Sequence, residues 1–310
     1  MSFAEEPILI FDGACGTTLQ SMDLPESLWK GKEGCNEYLN LTSPETIVRL
    51  HDNFLQAGAM VLETNTFGAS SLVLAEYGLE HQVEQINTAA VVHARTAIDG
   101  RSNCYIAGSV GPTTKLPSLG HVSVDELYES LREQMDSLLR AGVDVLVIET
   151  CQDLLQVKTA LVACFDLMAE IRDEVPVMVS VTIEQQGTML VGSDIAAVVA
   201  TLEPFPIFSL GLNCATGPID MESHIRYLSK NWPQRISCVP NQGLPEIVDG
   251  QTHYPLQPKE FAEMMKRFVK EQGVSVVGGC CGSSPAHIQA LVAALDSVTP
   301  KQREILIDEG

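Results

Sequence analysis

The 310-residue chain has no stretch of 18 or more consecutive apolar residues, which excludes an apolar membrane-spanning helix. Positive charge is scarce: 19 Lys and Arg stand against 40 Asp and Glu, for a formal net charge of −21. Nucleic acid and anionic lipid both demand faces rich in Lys and Arg. Neither is a fitting partner, and the surplus acid reads as a solvated surface. A basic targeting segment is missing too, since the opening residues carry Glu5 and Glu6 and no Lys or Arg; a cytoplasmic location is expected. No Ser/Gly linker, low-complexity tract or charge block divides the chain, so a single domain over 1–310 is expected. Nine cysteines are an odd number, and no Cys-x-x-Cys occurs. That argues against both a small disulfide scaffold and a closed four-cysteine metal site. In a reducing compartment a cysteine defaults to a buried apolar side chain, the expectation for Cys15, Cys35, Cys104, Cys151, Cys164 and Cys238. Cys15 and Cys151 also follow strand ends and so fall near any site there.

Apolar residues are plentiful at 45%, ample for a large core. Short apolar, β-branched runs recur at 8–14, 60–67, 104–111, 143–150, 175–183, 207–214, 235–243 and 274–282. They are near-continuous rather than alternating, the pattern of parallel strands buried on both faces. Helical segments lie between them. Ser43-Pro44 opens one that Gly58 follows, and Ser123-x-x-Glu126 is a capping box ahead of Leu127, Leu131, Met135 and Leu138. Residues 257–272 form another, closed by Gly273, and Ser284-Pro285 opens the last. Strand and helix alternating eight times predict a closed (β/α)8 TIM barrel.

Active sites of such barrels lie at the C-terminal ends of the strands. Here those ends hold polar residues and glycines, and three cysteines: Cys214 after the sixth run, Cys280 and Cys281 after the eighth. Alternate strands of a closed barrel share layers, so the sixth and eighth can meet at one point. Three thiolates there suit Zn²⁺ at about 2.3 Å, with Gly278, Gly279 and Gly282 letting the backbone bend. The seven histidines show no ligand spacing. Three ligands leave a tetrahedral position open, the mark of a catalytic zinc. Zn²⁺ with three thiolates carries a net −1, a poor Lewis acid for a carbonyl. It still lowers the pKa of a substrate thiol from about 8.5 and leaves the sulfur nucleophilic. Such a site activates thiols for alkylation. Thr64-Asn65-Thr66 reads as a supporting network or a substrate contact. Gly111-Pro112-Thr113 and Gln185-Gln186-Gly187 read as turns, and the charged helix at 221–230 as solvent-facing.

The motifs FDGACGT (11–17), ETNTFGAS (63–70), GPT (111–113), IET (148–150), GLNC (211–214), PNQGLP (240–245) and GGCCG (278–282) together resemble the homocysteine S-methyltransferase family. Within it they are similar to the homocysteine-binding module of cobalamin-dependent methionine synthases. The resemblance runs from residue 8 to about residue 295. It implies zinc on Cys214, Cys280 and Cys281, with Asp12 and Glu149 facing the amino group of L-homocysteine. Backbone amides of the segment from Gly13 through Thr17 and Thr18 would meet the carboxylate, with Asn213 supporting the metal site. It implies methyl transfer to the homocysteine thiolate, giving L-methionine. The donor would be a methylcorrinoid (methylcobalamin) carried by a separate protein or domain, because the chain ends after the eighth unit. Betaine or S-methylmethionine used directly, another thiol acceptor, and a non-catalytic zinc-bearing module of a larger complex are the alternatives.

Overall fold

The computed structural model describes residues 2–244, 246–248 and 251–305. Met1, Pro245 of the PNQGLP motif and the last five residues of the 1–310 span lie outside the described residues. Strands β1 (Leu9–Ile10), β2 (Val61–Glu63), β3 (Tyr105–Val110), β4 (Val145–Cys151), β5 (Val177–Val181), β6 (Ser209–Asn213) and β7 (Arg235–Val239) are followed by a short antiparallel pair, β8 (Glu246–Val248) and β9 (Gln251–His253), and then by β10 (Val276–Val277). Eight of them form one parallel sheet in the order β1-β10-β7-β6-β5-β4-β3-β2. The ring closes where Phe11 bridges Val61, with Met60 N donating to Ile10 O at 2.8 Å and Asp12 N to Val61 O at 3.0 Å. This is the expected (β/α)8 barrel, with strands shorter than the apolar runs because the run ends turn into loops. The β8–β9 hairpin was not foreseen. Among the described residues no helix is long and apolar enough to cross a membrane.

Side chains alternate across each strand, and two apolar layers result. Leu9, Phe11, Val61, Tyr105, Ala107, Val145, Val147, Met178 and Val276 fill the barrel. Ile10, Leu62, Ile106, Leu146, Val179, Leu210, Leu212 and Ile236 pack outward against the helices. Phe3 plugs the N-terminal end, with ring centroids 5.4 Å from both Tyr105 and Phe208.

The helix ends follow their sequence signals. Ser123 Oγ accepts from Glu126 N at 3.2 Å while Glu126 Oε2 accepts from Ser123 N at 3.1 Å. The helix they open, Val124–Ala141, buries Leu127, Leu131, Met135 and Leu138 and stops at Gly142, φ 88°. Pro44–Gln56, Pro258–Gln272 and Pro285–Leu295 begin with proline as expected. Ser43 caps the first of these through its carbonyl, its hydroxyl being bonded to Glu45 and Thr46 instead. The helix Pro218–Asn231 is solvent-facing on one side only: Met221, Ile225 and Leu228 are buried, and Glu222 pairs with Arg226 and Arg267.

With Leu210, Leu212, Ile236 and Cys238 turned outward, Gly211 on β6 faces inward beside its partner Ser237 on β7. A Cβ at 211 would fall 2.0 Å from both the carbonyl oxygen and the hydroxyl of Ser237, so the barrel closes tightly there only because residue 211 has no side chain. Gly211→Ala is expected to destabilise the chain by about 1–3 kcal/mol, read as a lower denaturant midpoint at unchanged slope. An unchanged midpoint would mean the two strands part freely.

Candidate metal and thiol site

The three cysteines predicted from sequence do converge. Their Sγ atoms all lie within 4.8 Å of one another, and Cys214 Sγ is 3.8 Å from Cys281 Sγ. Cys214 and the next residue, Ala215, leave β6 in the left-handed region at φ 59° and 53°, a conformation unfavourable for residues bearing a Cβ. On the other side Gly282, φ 81°, turns the chain just past Cys281. Gly278 and Gly279 serve a different purpose from the bending expected of them. A Cβ at 278 would fall 2.7 Å from Phe11 Cβ, and one at 279 would fall 2.3 Å from Ser283 Oγ. Close approach requires them. The Pro240–Gln242 stretch clamps the cysteine loop: Cys280 N donates to Pro240 O at 2.8 Å and Gln242 N to Cys281 O at 3.0 Å. Cys214 N is held by Val239 O at 3.2 Å.

Sulfurs this close compete for protons. Hydrogen bonds from Cys214 and Cys280 hold Cys281 far below the usual thiol range, at about 3, while the same contacts push Cys280 up. A divalent cation could take the place of those protons. Tetrahedral sulfur ligands at about 2.3 Å stand about 3.8 Å apart, a separation that the Cys214–Cys281 pair already has. The donor set and its spacing fit zinc.

Alternation places a polar residue at the top of five of the eight inward columns: Glu63 above Val61, Ser109 above Ala107, Glu149 above Val147, Ser180 above Met178, and Asn213 above Gly211. These side chains are wired together. Ser109 Oγ donates to Glu149 Oε1 at 2.5 Å and Asn213 Nδ2 approaches Oε2 at 3.3 Å. Asn213 Oδ1 accepts from Thr150 N at 2.9 Å and Ser180 Oγ at 2.8 Å. Thr150 sits at φ 55°, and Asn213 pins it with a second bond from Nδ2 to Thr150 Oγ1, 2.7 Å. Asn213 thus ties β4, β5 and β6 together beside Cys214.

Three carboxyls gather here. Burial, and after it the charge of Cys281, raises Glu149 to about 7, against the hydrogen bond from Ser109. Burial raises Asp12 well above the carboxylate range, against one backbone hydrogen bond from Glu63 N at 3.2 Å. Glu63 is raised well above it by burial and then by Glu149 and Asp12.

A cavity of about 220 Å³ joins these groups. Gly13, Thr17, Glu149 and the three cysteines line it, as do Glu63 and Thr150, marked in the sequence only as parts of strand-end motifs, and Ser109, which the sequence did not single out. Asp12, Thr18 and Asn213 lie behind the wall: Asp12 is 4% exposed, and Thr18 N is used on Ala14 O. Thr17 Oγ1 accepts from Gly282 N at 3.2 Å, joining the first loop to the cysteine loop. Thr64 and Asn65 form the expected supporting network, Thr64 bonding Thr66 at 2.7 Å and Asn65 bonding Asn36 O and Asn40, and both also line the cavity. Cys15 lines the cavity and donates to Asn65 Oδ1, whereas Cys151 is buried in the core. Among the described residues, no Lys, Arg or His lines this space.

Residues 9–295 match the family described as homocysteine S-methyltransferase. A methionine synthase of Mycobacterium tuberculosis is 40% identical over 302 residues, covering 96% of this chain and 25% of that protein. One from Mycobacterium leprae is 41% identical over 292 residues, covering 93% and 24%. The chain spans about a quarter of the length of these curated relatives. Among solved structures, the homocysteine methyltransferase MmuM from Escherichia coli in its metallated form superposes with a TM-score of 0.73 at 25% identity, covering 93% of this chain and 96% of that one. The match over nearly the whole barrel, cysteine trio included, decides the family: this chain belongs to the homocysteine S-methyltransferases.

Proposed function

We propose that this chain transfers a methyl group to the sulfur of L-homocysteine, giving L-methionine, with zinc held by Cys214, Cys280 and Cys281. The observation that carries this reading is one cavity with three converging sulfurs on its wall, carboxyls facing the same space, and no basic side chain among the described residues that line it. A zinc ion on those sulfurs supplies a Lewis acid that lowers the pKa of an incoming thiol while leaving the sulfur electron-rich. The chain's own residues bind and orient. Glu149, fixed by Ser109 and Asn213, offers its carboxylate to the substrate's ammonium, an interaction strengthened by the desolvated wall, with Asp12 adding charge from behind. The segment from Gly13 to Thr17 borders the same cavity and would meet the substrate's carboxylate. The thiol would give up its proton to solvent, and a sulfur lone pair would form the new S–CH3 bond in line as the methyl–donor bond breaks and its electron pair leaves with the donor, so the protein contributes chiefly activation and position. The methionine-synthase names of the mycobacterial relatives and the TNTFGA and GPT strings support a methylcorrinoid donor on a separate protein or domain.

Cys280→Ala is expected to lower zinc affinity by at least about 100-fold, measured by metal analysis after dialysis against a chelator, and to abolish methyl transfer. A metal-free variant that stays fully active would overturn the mechanism. Adding L-homocysteine to the zinc-loaded chain should move the zinc X-ray absorption spectrum toward four sulfur ligands; a spectrum that does not move refutes substrate coordination. Methionine is expected to form with a methylated corrinoid protein and not with betaine or S-methylmethionine alone, and the opposite donor preference would remove the corrinoid from the reading.

A further inference from the structure

The carboxyls around the cavity are not equivalent. Glu149 has both oxygens engaged, by Ser109 on one side and Asn213 on the other. Asp12 spends one oxygen on Glu63 N, and its other oxygen is sealed from solvent without a partner. Its side chain stands behind the wall rather than on it. Glu63 differs from both. It lines the cavity, no described residue donates a hydrogen bond to its carboxyl, and its oxygens are absent from the sealed, unpartnered atoms that include Asp12 Oδ1. Its acceptor capacity is therefore whole and directed into the space.

A desolvated carboxyl with no donor is destabilising unless something pairs with it. Among the described residues, the cavity wall supplies neither a basic side chain nor a hydrogen bond to Glu63. A primary ammonium brings a unit charge and three N–H donors. Glu63 on β2 and Glu149 on β4 flank Ser109 on β3, so one ammonium between them meets a free carboxylate on one side and a propped one on the other. We propose that Glu63 is the principal anchor of the substrate's ammonium group and sets the preference for an α-amino thiol over the same thiol without its amine. This rests on the homocysteine reading above and refines it, since the resemblance assigned that role to Asp12 and Glu149.

Calorimetric binding to the zinc-loaded chain tests this, with L-homocysteine and its des-amino counterpart 4-sulfanylbutanoate as probes. Glu63→Gln keeps the shape and removes the charge. It is expected to weaken L-homocysteine binding by about tenfold or more, the range of a charged hydrogen bond, while 4-sulfanylbutanoate binding stays within about twofold. Asp12→Asn is expected to weaken L-homocysteine less than Glu63→Gln does. Zinc content and thermal melts on each variant report folding, and Glu63→Asp, which keeps the charge but withdraws it, is expected to show an intermediate loss. Equal weakening of both thiols by Glu63→Gln, no weakening of either, or a larger effect from Asp12→Asn overturns the assignment. Wild-type protein that holds zinc yet binds neither thiol overturns the function reading itself, a result separable from the others because it does not involve the variants.

Discussion

Acidic groups crowd one wall of this barrel, and no basic side chain among the described residues lines the space to offset them. Three thiols lie within 4.8 Å of one another, and Glu63 and Glu149 open into the same cavity. Burial and, after it, the neighbouring like charges suppress ionisation here, which is why Glu149 is raised to about 7 and Glu63 and Asp12 stand well above the carboxylate range. On the proposed reading, cations from outside would displace the protons that keep these groups neutral, a metal ion at the sulfurs and an organic cation at the carboxyls. The site would then act as two cation receptors set side by side, and a molecule carrying both a thiol and an ammonium would satisfy both at once.

The rest of the fold holds that unfavourable assembly together. Closure of the ring between β1 and β2, the plug of Phe3, and the tight Gly211–Ser237 contact give the strands little freedom to spread. Above that rigid base the rim is strained where it matters: Thr150, Cys214 and Ala215 all take left-handed backbone angles. Asn213 secures Thr150 through two hydrogen bonds, and the loop after β7 fixes the backbone of both paired cysteines. Strain at a rim of this kind persists only when the surroundings over-determine it.

Much of this was legible from residue order. Eight apolar runs marked the strands because parallel strands covered on both faces leave no polar alternation to confuse them. The helix starts were readable in Ser123, Glu126 and the prolines because capping is a local interaction. The cysteine trio stood out because vicinal thiols between glycines pack poorly. Other features were hidden. Glu63 and Ser109 lie at strand ends where a polar residue is unremarkable, and only counting by twos from Val61 and Ala107 turns them inward beside Glu149. Asp12 looked like a wall residue because a sequence does not say which carboxyl stands in front. Gly278 and Gly279 suggested bending where the fold instead needed room for Phe11 and Ser283. The β8–β9 hairpin, three residues a side, is too short for any periodicity to register.

Phe3 stoppers the foot of the barrel, while the cavity lies among the strand ends at the opposite rim. On the proposed reading, the acceptor thiol and the methyl carrier would both approach from that rim. A carrier large enough to cover the rim would have to arrive after the acceptor is seated and withdraw before the product leaves. The order of events would then follow from the architecture alone, first in and last out.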